Sequence, residues 1–289
     1  MSFIPIKQKK LFKPEFEGTA IELIERLLVE NPQYSVGERK KGFTNLYFGD
    51  FAYDKDNRMI LLKLGKQKEW KRSDYREAKF IDEIKEDYPH VLLLWDRNEQ
   101  TILIERNTAI FPNYLTVFKS IENHFNNLLE KFELEVYIVP IPKKGDFWKI
   151  IKEYQLIYEI SFELYQPNLF GETEKSVKEI LECFNEEYNA TSVTITIANP
   201  RGNLKVADIN QRIIDDINWV DKGGGTWKLK CRKSQTAKKE TITSRDHIVI
   251  TEVTDEVTES IMENPDQVIS AVKKEKTLVE NKENLNAKR

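Results

Sequence analysis

Apolar residues in this chain follow two rhythms, and the predicted elements come from them. Val91–Trp95 and Thr101–Ile104 are nearly unbroken apolar runs around the polar connection Asp96–Gln100. Aliphatic and β-branched runs split by a turn-rich gap predict a β-hairpin. Their continuity predicts that both strands are central and buried on both faces. Leu46–Tyr53 and Met59–Leu64 predict a second hairpin around the connection Asp54–Arg58. Between the hairpins, Lys66–Ser73 is basic and polar and is expected to be an exposed loop. Asp74–Tyr88 is expected to be a helix.

Helical spacing governs the flanks. Ala20, Leu23, Ile24, Leu27 and Leu28 lie on one stripe behind Thr19, a good N-cap, and Asn31-Pro32 ends that helix. Val117, Ile121, Phe125, Leu128 and Leu129 mark one face of a helix over Tyr114–Phe132. Residues 1–17 mix prolines and lysines and read as a strand or a loose arm. The segment 1–132 is therefore an α+β domain of antiparallel hairpins backed by helices.

A second α+β domain is predicted over 133–252. Strands fall at Val136–Val139, Ile157–Leu164 and Ser192–Ile197, then near Trp227–Arg232 and His247–Thr251. Helices fall at Asp146–Tyr154, Glu172–Tyr188 and about Ala207–Val220. This alternation predicts a sandwich with one open, mostly antiparallel sheet, and the element order is compatible with a ferredoxin-like variant. Residues 253–289 are polar, charged and free of aromatics, which predicts a mobile helix or a disordered tail.

Composition narrows the class. With 289 residues, 40% hydrophobic and 32% charged, the chain can bury real cores in two domains. The net charge of −3 exerts no global pull on polyanions. Two cysteines, Cys183 and Cys231, make no disulfide framework and fit a reducing cytosol. Cys183 reads as a small apolar residue near a helix core. No apolar run approaches the roughly 20 residues that span a bilayer. Lys7, Lys9 and Lys10 have no apolar h-region after them, so a cytoplasmic protein without a signal peptide is expected.

Catalytic and cofactor motifs find little support. No Walker-type string occurs; Gly223-Gly224-Gly225 follows a predicted helix and reads as its C-terminal turn. His90, His124 and His247 are widely spaced, without metal-binding motifs. Asp54-Lys55-Asp56-Asn57 lacks the glycine and distal glutamate of a calcium loop and reads as a hairpin turn. Glu69-Trp70-Lys71 has the letters of a metal-dependent nuclease motif, but no evident aspartate partner. No residue is assigned a catalytic or metal-binding role, and no cofactor is implied.

Basic segments carry the only positive signal. Trp227, Lys228, Lys230, Arg232, Lys233, Lys238, Lys239 and Arg245 accompany the single acidic Glu240 between 227 and 245. Strand alternation puts Lys228, Lys230 and Arg232 on one face, a row suited to phosphates, with Trp227 as a candidate base stacker. A second segment holds Lys63, Lys66, Lys68, Lys71, Arg72 and Arg76 with Trp70. Acidic residues collect instead over Glu172–Glu187 and in the tail, which would leave a positive side for field focusing. The bland alternative is a solvated surface protected by lysines. A protein-interaction subunit using exposed Trp219 and Trp227 is a further reading, and an effector nuclease another.

Leu27-Leu28-Val29-Glu30-Asn31, followed by Leu46–Leu64 and Val91–Arg106, resembles in order and layout the RexA family of phage-exclusion proteins. Phe147-Trp148-Lys149-Ile150 and Pro167-Asn168-Leu169-Phe170-Gly171 look like strings from uncharacterised bacterial families found with antiphage genes. The resemblance implies a dimeric, sequence-tolerant DNA-binding protein that senses phage replication and signals a partner; the partners expected are DNA and a protein from the same operon. It carries over no site residue.

Overall fold

The computed structural model describes residues 2–5, 16–34, 45–56, 58–165, 175–207, 210–250 and 270. These form two compact units, one over 16–132 and the other over 133–250 together with strand β1 (Ser2–Pro5). The tail from 253 and the string at 167–171 lie outside the described residues.

In the 16–132 unit, α1 (Ala20–Glu30) starts at a reciprocal capping box. The Thr19 hydroxyl accepts from the Glu22 amide, and the Glu22 carboxylate accepts from the Thr19 amide at 2.7 Å. Strands β2 (Gln33–Tyr34), β3 (Leu46–Tyr53) and β4 (Met59–Lys66) follow. The Asp54 carboxylate accepts from the amides of Arg58 and Met59 at 2.6 and 2.9 Å. That carboxylate closes the turn, as the hairpin reading of this segment required.

The next segment departs from expectation. Residues 68–88 hold no helix; β5 (Lys68–Arg76) and β6 (Lys79–Asp87) form a separate two-stranded antiparallel ribbon. The expected loop at Lys66–Ser73 is thus the end of β4 and most of β5. Then come β7 (His90–Asp96), β8 (Thr101–Ile104) and α2 (Tyr114–Leu129), which continues into a 3-10 turn at Glu130–Phe132. The sheet order is β2-β3-β4-β7-β8, antiparallel at every described pairing.

Strands β4 and β7 are central, and Ile60, Leu62, Leu64, Val91, Leu93 and Trp95 are buried. The hairpin expected to be buried on both strands is only half so. Its second strand, β8, forms the sheet edge and leaves Leu103 exposed. Helix α2 packs Phe125 against Phe48 of β3 and Trp95 of β7.

In the second unit, β1 pairs antiparallel with β9 (Leu134–Tyr137) as a small separate sheet. After α3 (Asp146–Glu153) come β10 (Leu156–Tyr165), α4 (Lys175–Tyr188), β11 (Ser192–Ala198) and α5 (Gln211–Asp221). The unit closes with β12 (Gly225–Arg232) and β13 (Glu240–Thr243). The sheet runs β11-β10-β12-β13, with every neighbour antiparallel.

Both β11 and β12 oppose β10, so they run parallel to each other and α5 crosses over β10 between them. Helix α4, by contrast, joins antiparallel neighbours. With β9 outside the sheet as well, the topology is not ferredoxin-like. The strand expected at His247–Thr251 is reduced to one bridge, Ile248 with Pro142, after a 3-10 turn at Ser244–Asp246.

One face of the four-stranded sheet carries the core. Phe147 and Ile150 of α3, Val177 and Leu181 of α4, and Ile213, Ile217 and Trp219 of α5 pack on Ile160, Phe162, Trp227 and Leu229. Gly225 opens β12 where a Cβ would lie 2.2 Å from the Glu163 carbonyl oxygen. Strand contact at that point requires glycine.

Candidate nucleic-acid interface

The alternation that buries Trp227, Leu229 and Cys231 turns Lys228, Lys230 and Arg232 to the opposite, outer face of the sheet. Successive members of that row are about 7 Å apart along the strand. Register fixes their neighbours. Lys228 lies between Ser161 of β10 and Thr243 of β13, and Lys230 between Glu159 and Thr241. One strand further on, Ser161 shares a 3.1 Å hydroxyl–hydroxyl hydrogen bond with Thr196. Thr194 and Thr196 are exposed. The face is therefore lined with hydroxyls and crossed by cations, with the carboxylates of Glu159 and Glu163 among them.

The cations differ in availability. Lys230 donates to Glu159 at 2.7 Å and is largely neutralised. Lys228 is exposed and, among the described residues, meets no acidic partner. Lys233 and Lys238, both exposed, lie in the connection at residues 233–239 between β12 and β13, and Lys239 closes it.

Two tyrosines organise this end of the sheet. Lys239 Nζ sits 4.0 Å from the Tyr158 ring centroid, the Arg232 guanidinium lies 5.7 Å from the same ring, and Lys233 Nζ lies 5.5 Å from the Tyr154 ring. Tyr154 donates its hydroxyl to Glu240 at 2.8 Å. Burial, reinforced by that carboxylate, pushes its phenol up to about 12. The one acid of the segment is thereby engaged by a neutral donor, leaving the lysines in excess.

Neither tyrosine stood out in the sequence. Tyr158 is the extra residue of a β-bulge, because pairing with β12 jumps from Ile157 to Glu159. Bulges re-aim side chains, and no local residue type announces this one. The ring packs against Gly202, at φ +78°, where a Cβ would sit 2.9 Å from a ring carbon. Arg201, next to Gly202 on the same turn, is exposed.

Other expectations change with the structure. Trp227 is 1% exposed, with its ring 5.5 Å from Phe147 and 6.0 Å from His247, so it is a core residue and not a base stacker. Trp219 is fully buried and donates its indole N–H to the Tyr165 carbonyl, which removes both tryptophans as exposed protein anchors. Cys183 is exposed and lies outside the core.

The 63–76 segment belongs to the other unit and does not present one surface. Lys66 lies half-buried over the Phe111 ring at 5.2 Å, and burial, helped by Lys68, lowers its pKa. On the ribbon, Lys68, Trp70 and Arg72 share one face, whereas Lys71 is on the other beside Ile84.

Among the described residues no group of three or more His, Cys, Asp or Glu side chains is arranged to hold a metal ion. Among them, too, no helix is long and apolar enough to cross a membrane. Residues 11–274 match a family described as a domain of unknown function, DUF4747. The chain belongs to DUF4747. No curated protein and no solved structure matches it. What this DUF4747 member does has to be argued from its own surfaces, and the outer sheet face is the most chemically specific of them.

Proposed function

We propose that this DUF4747 protein is a nucleic-acid-binding protein whose outer sheet face, with Lys228 along it and Arg232, Lys233, Lys238 and Lys239 at one end, holds the phosphate backbone of a single strand without reading sequence. The observation that carries the reading is the pair of cations, Arg232 and Lys239, held over one tyrosine ring beside an open, hydroxyl-lined sheet. Cation–π contacts restrain long side chains before a ligand arrives, lowering the ordering cost of binding. A flat sheet accepts an extended strand along its surface, as sheet-based single-strand binders do. Threonine and serine hydroxyls add hydrogen bonds to phosphate and sugar. A phage-defence setting is the expectation that the RexA-type resemblance adds.

Replacing the exposed Lys228, Lys238 and Lys239 together by glutamate tests the reading. With labelled single-stranded and duplex oligonucleotides over a salt series, the wild type should bind log-linearly in salt. The triple variant should bind at least about ten-fold more weakly, with a slope smaller by roughly 2 to 3, as expected for lost phosphate contacts. An unchanged thermal melt would show that the fold persists. Wild-type protein that does not bind at low salt, or a variant with an unchanged slope, would end the proposal. Tighter binding of duplex than of single strands would reject the single-strand assignment.

A further inference from the structure

The β5–β6 ribbon exposes Trp70, Tyr75, Phe80, Ile81 and Ile84, and among the described strands it pairs with no other. A lone two-stranded ribbon is marginal in water. This one turns through Glu77 and Ala78, both at positive φ, 50° and 60°, where glycine or asparagine is favoured. A covered ribbon would explain how these features persist. We infer that the free edge of β5 pairs antiparallel with β5 of a second copy of this chain, about a two-fold axis at Ser73. The product is a continuous sheet in the order β6-β5-β5-β6.

Backbone polarity permits this register. Arg76 and Lys79 flank the two-residue turn, so alternate β5 residues from Arg76 back to Trp70 direct their N–H and C=O groups at β6. Tyr75, Ser73 and Lys71 direct theirs outward. With the axis at Ser73, these outward groups meet across the new interface.

Charge then favours this register over axes at the neighbouring residues. Arg72 faces Asp74 of the second copy, Trp70 faces Arg76, and Lys71 faces Tyr75, each twice by symmetry. Opposed cation–acid and cation–aromatic pairs of this kind favour strand pairing. An axis at Arg72 would oppose Arg72 to itself and Lys68 to Arg76. An axis at Asp74 would oppose Asp74 to itself and Arg72 to Arg76. An axis at Lys71 would oppose two lysines. The free edge of β6 is poorer, since an axis at Glu83 opposes that acid to itself and one at Ile84 sets Asp82 against Glu86.

The side-chain layer agrees. Tyr75 and Phe80 are directly opposed, with ring centroids 5.0 Å apart, and Ile84 lies on the same face. Two-fold repetition sets Phe80 and Tyr75 of one copy in a row with Lys71 and Ile84 of the other, once on each side of the central Ser73–Asp82 pairs. Such an isologous contact is closed and stops at two copies.

Sedimentation of the purified full chain at tens of micromolar should show a dimer. Arg72→Asp sets two acids against each other at both symmetric positions and should weaken association at least about ten-fold. The double variant Arg72→Asp/Asp74→Arg should restore it, which a merely misfolded ribbon would not do. In a Cys183→Ser background, Ser73→Cys should form an intermolecular disulfide under mild oxidation, because hydrogen-bonded antiparallel partners lie about 5.5 Å apart at Cα. A wild type that stays monomeric, or a dimer that Arg72→Asp leaves intact, overturns the inference.

Discussion

Trp227→Ala should destabilise the second unit by about 3–5 kcal/mol, the range for truncating a large buried aromatic. The indole fills the space between Phe147 of α3 and His247, and removing it leaves a void under the middle of β12. Its Nε1 is buried with no hydrogen-bond partner, an uncompensated polar group. Trp227→Phe removes that cost while keeping most of the ring, so it should fall well short of the alanine variant's loss. Urea unfolding of both variants measures the difference. Equal losses would mean that the ring's volume does not hold the core. Oligonucleotide affinity of the folded Trp227→Phe protein should match the wild type, because the residue faces away from the outer surface. A selective loss of affinity would restore the stacking role that burial removes.

Trp227 also shows how far the sequence could be read. The alternation that sends Lys228, Lys230 and Arg232 outward necessarily sends residue 227 inward with Leu229 and Cys231. Its burial was therefore legible in the period-two pattern, although its cationic neighbours suggest an exposed aromatic. Cys183 is similar. It lies two residues from the buried Leu181, about 200° around α4, and so points away from the core.

The long apolar runs of β4 and β7, the Thr19 cap and the α2 stripe were legible because burial and capping leave direct marks on residue type. The ribbon left no such mark. With both faces in water it has no period-two apolar pattern, its turn lacks glycine, and its lysines, glutamates and alanine have helical propensity. Hydrogen bonding between β5 and β6 overrides that preference. The Tyr158 cluster was hidden for another reason: it depends on a bulge and on chain segments some 40 to 80 residues apart, and no local pattern encodes either.

Acid should separate the two units. His124 is buried in the first, stacked on Phe48 with centroids 5.4 Å apart, and its Nε2–H donates to the Asn31 carbonyl at 3.2 Å. Burial lowers its pKa from 6.5 to about 4, and the carbonyl only partly opposes this. The unfolded chain therefore binds the proton first, so the contribution of the neutral ring is intact above pH 6.5 and is lost as pH falls towards 4. At pH 5 the loss is about 2 kcal/mol. Asp216, in the second unit, has the opposite sign. Burial raises its carboxyl to about 6, against the pull of Arg212, whose guanidinium lies 3.1 Å away. The folded state then takes up the proton first, and the second unit gains about 1 kcal/mol between pH 7 and 5. Hydrogen exchange, corrected for intrinsic rates, should show β4 and β7 losing protection at pH 5 relative to pH 7 while β10 and β12 keep theirs. His124→Gln, which keeps an N–H donor and does not titrate, should abolish the loss in the first unit. Parallel loss of protection in both units would mean that acid acts through their shared surface charge and not through these two buried groups.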